Sequence, residues 1–296
     1  MLALPAQAPS HSLQFAAPNA RISAARSLVE AELAFDKRAA QEGNDAAFLS
    51  VLEDSGILFR PGPVNGKAWV RRQQRDSSRL TWFPSFVEVS ESEDLGYSTG
   101  PYQWRSDAES KQVSHGHFVS VWGRREGSWK LLLDTGSPHA APVIESAVFE
   151  PGPTKATAIA RTPPPFSFEA LKDLELEFSN KASASGIVSA YNDYLATGAK
   201  FYRAGSQPTS RPEDIQKALE RADGIIKWTC LGGAVARSND LGYSYGTRAY
   251  TPDPKAIPKP ETMSKHAARL YSFLHIWKRQ PSGRWKVILD LENPMP

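Results

Sequence analysis

Few residues in this chain have the type and spacing to do chemistry. Gly96-Tyr97-Ser98-Thr99-Gly100 fits G-x-S-x-G, the pattern of a hydrolase nucleophile elbow, in which a sharp strand-to-helix turn exposes a serine. His115-Gly116-His117 sets two imidazoles on one face of an extended segment, as some metal sites require. A third ligand would have to come from Asp134 or His139 by tertiary contact, so no metal is expected. Arg60, Lys67, Arg71, Arg72, Arg75 and Arg79 stand together against the single acid Asp76, which reads as a solvated helix face or as a site for an anionic ligand. Neither G-x-G-x-x-G nor G-K-[ST] is present to cradle a phosphate.

The elements around Ser98 argue against the elbow. Pro101-Tyr-Gln-Trp104 continues in the manner of a strand where an elbow would open a helix. The pattern also occurs twice: SEDLGYSTGPYQW (92–104) returns as SNDLGYSYGTRAY (238–250). Trp82 precedes the first copy as Trp228 precedes the second, and FVSVWGRREGSWKLLLD, ending at Asp134, is answered by FLHIWKRQPSGRWKVILD, ending at Asp290. The second copy carries an insertion in the Pro-rich stretch Thr251–Thr262, a longer hairpin loop. The glycines of the motif are strand positions where the sheet bends or another backbone comes close.

Upstream, Leu28, Glu32, Phe35 and Ala39 recur at helical spacing until Gly43. A second helix follows through Phe48 and Leu52 to Gly56. Leu171, Leu174 and Phe178 lead in the same way to Gly186, then Tyr191 and Leu195 to Gly198. Strands show strict alternation, as in Trp129, Leu131, Leu133 against Lys130, Leu132, Asp134. Helices followed by an antiparallel sheet, twice over, is an α+β order.

Composition agrees with two folded domains and excludes several partners. Hydrophobic residues at 41% and charged residues at 23% are ordinary globular values. A net charge of +3 gives no reason to expect nucleic acid or a membrane surface, and no run is long enough to span a bilayer. Cys230 is the sole cysteine, so no internal disulfide forms. Ala6-Gln7-Ala8 behind a short apolar stub is similar to the end of a signal peptide without its basic start, so the expectation is either export to the periplasm or medium, or a cytoplasmic protein. The organisation read from these features is a tail at 1–22, a first domain at 23–137, a Pro-rich linker at 138–167 and a second domain at 168–296.

Phe59-Arg-Pro-Gly62, Trp82-Phe-Pro84, and the paired D-L-G-Y-S-x-G and W-K-x-x-x-D motifs carry a resemblance. Each half resembles the SnoaL-like or ketosteroid-isomerase-like branch of the nuclear transport factor 2-like superfamily. The resemblance implies two cone-shaped domains, each with N-terminal helices packed in a curved antiparallel sheet, and a pairing of the halves through their sheets as an intrachain pseudo-dimer. It implies a pocket between the concave sheet face and the helices. Aromatic contacts to a ligand would come from Trp82, Tyr97, Tyr102, Trp104 and Trp122 in the first half, and from Trp228, Tyr243, Tyr245, Tyr250 and Trp277 in the second. Acid–base residues of the kind the family's enzymes use would be Asp134 with His117, and Asp290 with His275; His115 is a further imidazole. None stands in a motif that carries a role over, and alternation with Lys130 and Lys286 also fits salt-linked strand ends for the two aspartates. The expectation is a protein that binds a small apolar or aromatic molecule without a cofactor. An isomerase, cyclase or dehydratase, and a protein-interaction module, are the alternatives.

Overall fold

The computed structural model describes residues 20–73, 77–107, 109–140, 150–151, 165–220, 225–251 and 269–296. The Ala6-Gln7-Ala8 signal, Arg75 and Asp76 of the basic run, most of the Pro-rich linker and the Pro-rich loop beyond Thr251 lie outside the described residues.

Apolar residues at helical spacing build the helices. In α1 (Ala20–Glu42) Leu28, Val29, Phe35 and Ala39 are buried together. Gly43, at φ 92°, ends the helix in a backbone region that side chains with a β-carbon avoid, and α2 (Asn44–Val51) starts at once. The joint recurs at Gly186, φ 86°, between α4 (Phe168–Ser185) and α5 (Ile187–Tyr194).

After α2 come β1 (Leu52–Phe59), β2 (Pro63–Asn65), α3 (Gly66–Val70), β3 (Arg79–Trp82), β4 (Phe86–Val89), β5 (Leu95–Arg105), β6 (Ser114–Arg125), β7 (Ser128–His139) and β8 (Glu150–Pro151). The second half adds β9 (Leu195–Arg203), α6 (Pro212–Glu220), β10 (Ile225–Val235), β11 (Leu241–Thr251), β12 (Arg269–Arg279) and β13 (Trp285–Met295) after its two helices. The first sheet runs β2-β1-β7-β6-β5-β4-β8, with β3 also on β5; the second runs β10-β11-β12-β13-β9. The long strands are antiparallel, whereas β1 joins β7, β9 joins β13, and β8 joins β4 in parallel. Strand β7 runs two residues past 137, and Glu150–Pro151, inside the stretch read as linker, is a strand.

Each sheet has two occupied faces. Helices cover one, burying Phe35, Trp82, Trp122 and Leu131 in the first half and Phe178, Trp228, Trp277 and Val287 in the second. The opposite faces share one core: Tyr97, Val119, Val121 and Leu133 pack with Tyr243, Leu274, Ile276 and Leu289. Polar contacts border it, including Ser92 Oγ to Ser238 Oγ at 2.8 Å, Arg237 to Asp94 at 2.9 Å and a Lys278–Glu88 ion pair.

Candidate functional site

Ser98 lies in mid-strand on the helix-facing side of β5, and its hydroxyl donates to Glu32 of α1 at 2.5 Å. The indoles of Trp82 and Trp122 donate to the same carboxylate at 2.7 and 2.9 Å. Burial pushes the Glu32 carboxyl up to about 7, against these three bonds. The second half rebuilds the cluster on Glu175, which accepts from Ser244 at 2.5 Å and Trp277 at 2.8 Å and bonds His275 Nδ1 at 2.8 Å. The repeated serine of D-L-G-Y-S is therefore a pin between sheet and helix. The glycine two residues on answers a close approach: a β-carbon at Gly100 would lie 2.0 Å from the Phe83 carbonyl oxygen, and one at Gly246 1.9 Å from that of Thr229.

A cavity of about 560 Å³ opens between the helices and the helix-facing side of the first sheet. Its walls are aromatic, with Phe35 and Phe48 from the helices, Trp69 from α3, and Trp82, Tyr102 and Phe118 from the strands; Trp104 stands at 40% exposure. Ala204, Asn293 and Pro294 from the second half complete the lining. Arg60 and Asp134 meet there because β1 and β7 run side by side, with Leu58 opposite Asp134, and Asp45 of α2 adds a third charged residue to the lining.

Asp134 accepts one hydrogen bond, from Ser120 Oγ at 2.9 Å, and forms no ion pair among the described residues. Burial pushes its carboxyl up to about 6, opposed by the charge of Arg60 and the Ser120 bond. Arg60 spends one donor on the Phe59 carbonyl at 2.7 Å, and its guanidinium lies 5.2 Å from the Trp69 ring centre and 5.8 Å from that of Phe48. It too forms no ion pair among the described residues. Burial pushes its pKa down, while Asp134 and Tyr102 oppose the shift.

At the corresponding place in the second half the charged groups pair with one another. Asp290 is buried and accepts from Tyr191 at 2.5 Å and from Arg203 at 2.7 and 3.2 Å. Burial raises its pKa, but Arg203 first and His275 next hold it below the usual carboxylate range. Glu292 pairs with Arg203 at 3.3 Å and Arg248 at 2.7 Å.

Of the residues singled out from sequence, Trp82, Tyr102, Trp104 and Asp134 gather at the cavity. Tyr97, Tyr243 and Tyr245 belong to the core shared by the two sheets, Tyr97 donating to Glu88 at 3.1 Å. Trp122 and Trp277 are wholly buried on their glutamates, Trp228 stacks on Phe178 with ring centres 4.8 Å apart, and Tyr250 packs at the edge of the second core. His117 sits on the other face of β6 from Ser120 and Asp134, with Nδ1 2.9 Å from His139 Nε2 and its ring against Tyr202. Asp134 and His117 are not brought together. His275 and Asp290 are, opposite one another on β12 and β13 at 3.8 Å, but inside the paired network. Sequence reasoning placed Arg60 in a basic run and in the Phe59-Arg-Pro-Gly62 element and Phe48 in a helix, neither at this cavity, and did not single out Trp69 or Asn293. Arg60 and Arg203 stand at matching places in LFRPG and FYRAG, the one signal that could have flagged them.

No family model and no curated protein matches the sequence. Solved structures do. A ketosteroid isomerase-like protein from Erwinia carotovora atroseptica is 10% identical, covering 43% of this chain and 95% of its own, with a TM-score of 0.34. A nuclear transport factor 2-like protein of unknown function from Shewanella oneidensis is 14% identical, covering 38% and 97%, with a TM-score of 0.32. A nuclear transport factor 2-like superfamily protein from Salmonella enterica is 12% identical, covering 42% and 97%, also at 0.32. Over lengths of about two-fifths of the chain, this fold is similar to that of nuclear transport factor 2-like and ketosteroid isomerase-like proteins.

Proposed function

We propose that the first half binds a small, largely apolar or aromatic molecule in its cavity, with a polar end directed to Arg60 and Asp134. The supporting observation is the cavity itself, about 560 Å³ with aromatic walls, where Arg60 and Asp134 converge and neither forms an ion pair among the described residues. Around Asp290 the described residues of the second half pair with one another, so one molecule per chain is the expected stoichiometry. Native mass spectrometry of the gently purified chain tests this: a retained or titratable small molecule at one per chain supports it, and a titration of apolar and aromatic compounds without binding rejects it.

A second reading has its own support. A carboxyl raised to about 6, beside an aromatic cavity and without an ion pair among the described residues, suits proton transfer at a carbon next to a carbonyl, as an isomerase or dehydratase needs. Deuterium uptake into ketone and enone substrates, followed by NMR, should then rise through pH 6 and vanish in Asp134→Asn while affinity survives. Equal uptake in the variant would reject this role. We also read the halves as an intrachain pseudo-dimer, a reading supported by their shared core.

A further inference from the structure

The two halves can be compared position by position, because their strand registers agree. Asp134 lies opposite Ser120, and Asp290 opposite His275. Two residues on, Gly136 lies opposite Phe118, and Glu292 opposite Phe273. Tyr102, opposite Gly116, occupies the place that Arg248, opposite Tyr271, has in the second sheet. Phe48 and Tyr191 are both the fifth residue of their helices.

These exchanges decide what each arginine meets. Arg203 is satisfied by protein carboxylates: Asp290 at 2.7 Å and Glu292 at 3.3 Å, with Tyr191 bonded into the same group. In the first half glycine replaces Glu292, phenylalanine replaces Tyr191, and Asp134 is held on Ser120 without an ion pair to Arg60. Arg60 keeps its place beside the strand that carries Asp134, but the counterpart of Glu292 is missing and cavity lies beside Gly136. The same fold thus shows what group that guanidinium is shaped to receive: a planar carboxylate, matched to its fork of donors.

We propose that the ligand of the first half is a carboxylic acid with an apolar or aromatic body, whose carboxylate meets Arg60 where the second half supplies Glu292 and Asp290. The proposal rests on the reading of this cavity as a small-molecule site. Gly136 is then a specificity position, since its missing side chain leaves room for the acid, while Phe48 and Trp69 flank the guanidinium and hold it toward the cavity.

Calorimetric titration of the full chain with naphthalene-2-carboxylate, biphenyl-4-carboxylate and cyclohexylacetate, each against its primary amide, tests the assignment. The acids should bind about tenfold or more tightly than the amides, the worth of a charge-assisted bond. Arg60→Gln should abolish that preference, and Arg60→Lys, which keeps the charge, should retain part of it; a melting scan of each variant reports folding. Amides that bind as well as acids, or an undiminished preference in Arg60→Gln, would overturn the carboxylate assignment and leave the binding site standing. Absence of binding by both series would overturn the assignment and the site together.

Discussion

At the scale of single residues, the chain uses its interior and cavity-lining carboxyls in two different ways. Glu32 and Asp134 are raised by burial, whereas Asp290 is held low by Arg203 and His275. A raised carboxyl keeps its proton in the folded chain at a pH where the unfolded chain has lost it. Stability therefore falls as pH rises from the ordinary value of 3.8 to about 6 for Asp134, and from 4.5 to about 7 for Glu32. Asp134→Asn keeps an acceptor for Ser120 and removes the charge. Urea unfolding should find it ~1–2 kcal/mol more stable than the parent at pH 8 and nearly equal at pH 4, the pKa shift being discounted for the partial exposure of Asp134. A loss of stability at pH 8 would contradict the burial argument. Ser98→Ala separates pin from nucleophile: it should cost about 1–3 kcal/mol by leaving Glu32 a bond short, with ligand affinity unchanged. Lost affinity together with intact stability would reverse that assignment.

At the scale of elements, close approaches and joints explain why glycine recurs. Gly100→Ala would press a β-carbon against the Phe83 carbonyl, so about 1–3 kcal/mol of stability should be lost on repacking, measured by chemical denaturation. Gly43→Ala meets nothing within 4 Å; its cost is backbone conformation alone, about 1 kcal/mol, and a larger loss would mean that α2 shifts with it. The elements themselves are legible in the sequence. Leu28, Phe35 and Ala39 mark α1, and SWKLLLD marks a strand, β7. Its single alternation of Trp129, Leu131 and Leu133 does not hold: a bulge at Leu132 puts Leu131 in the helix-side core and Leu133 in the core between the sheets, and turns Asp134 to the face opposite His117, a step that alternation counted along one strand does not record.

At the scale of the whole molecule, two sheets share a core to which both contribute residues with no exposure, such as Val119, Leu133, Leu274 and Leu289. Neither half can lose its fold without uncovering that surface on the other, so differential scanning calorimetry should record one cooperative transition. Leu274→Ala should lower the midpoint of the whole transition, at a cost of about 2–5 kcal/mol. Two resolved transitions, with only the second moved, would show that the halves unfold independently. The cavity depends on the same arrangement, since Asn293 of β13 donates to the Gly136 carbonyl at 2.7 Å and lines the first half's site from across the boundary.

The amino-acid order by itself determined the repeated helix-then-sheet plan and the demotion of Ser98 to a strand residue. Those inferences rest on periodicity and repetition, which are local and survive without coordinates. Which half keeps an open cavity was decided only in three dimensions. Arg60 and Arg203 read alike along the chain, but one faces Gly136 and Phe48 and the other Glu292 and Tyr191. The parallel pairing of β1 with β7 and of β9 with β13 sets those partners across the sheet, between residues far apart in sequence. Charge balance in a buried space depends on what lies opposite, and no single strand records that.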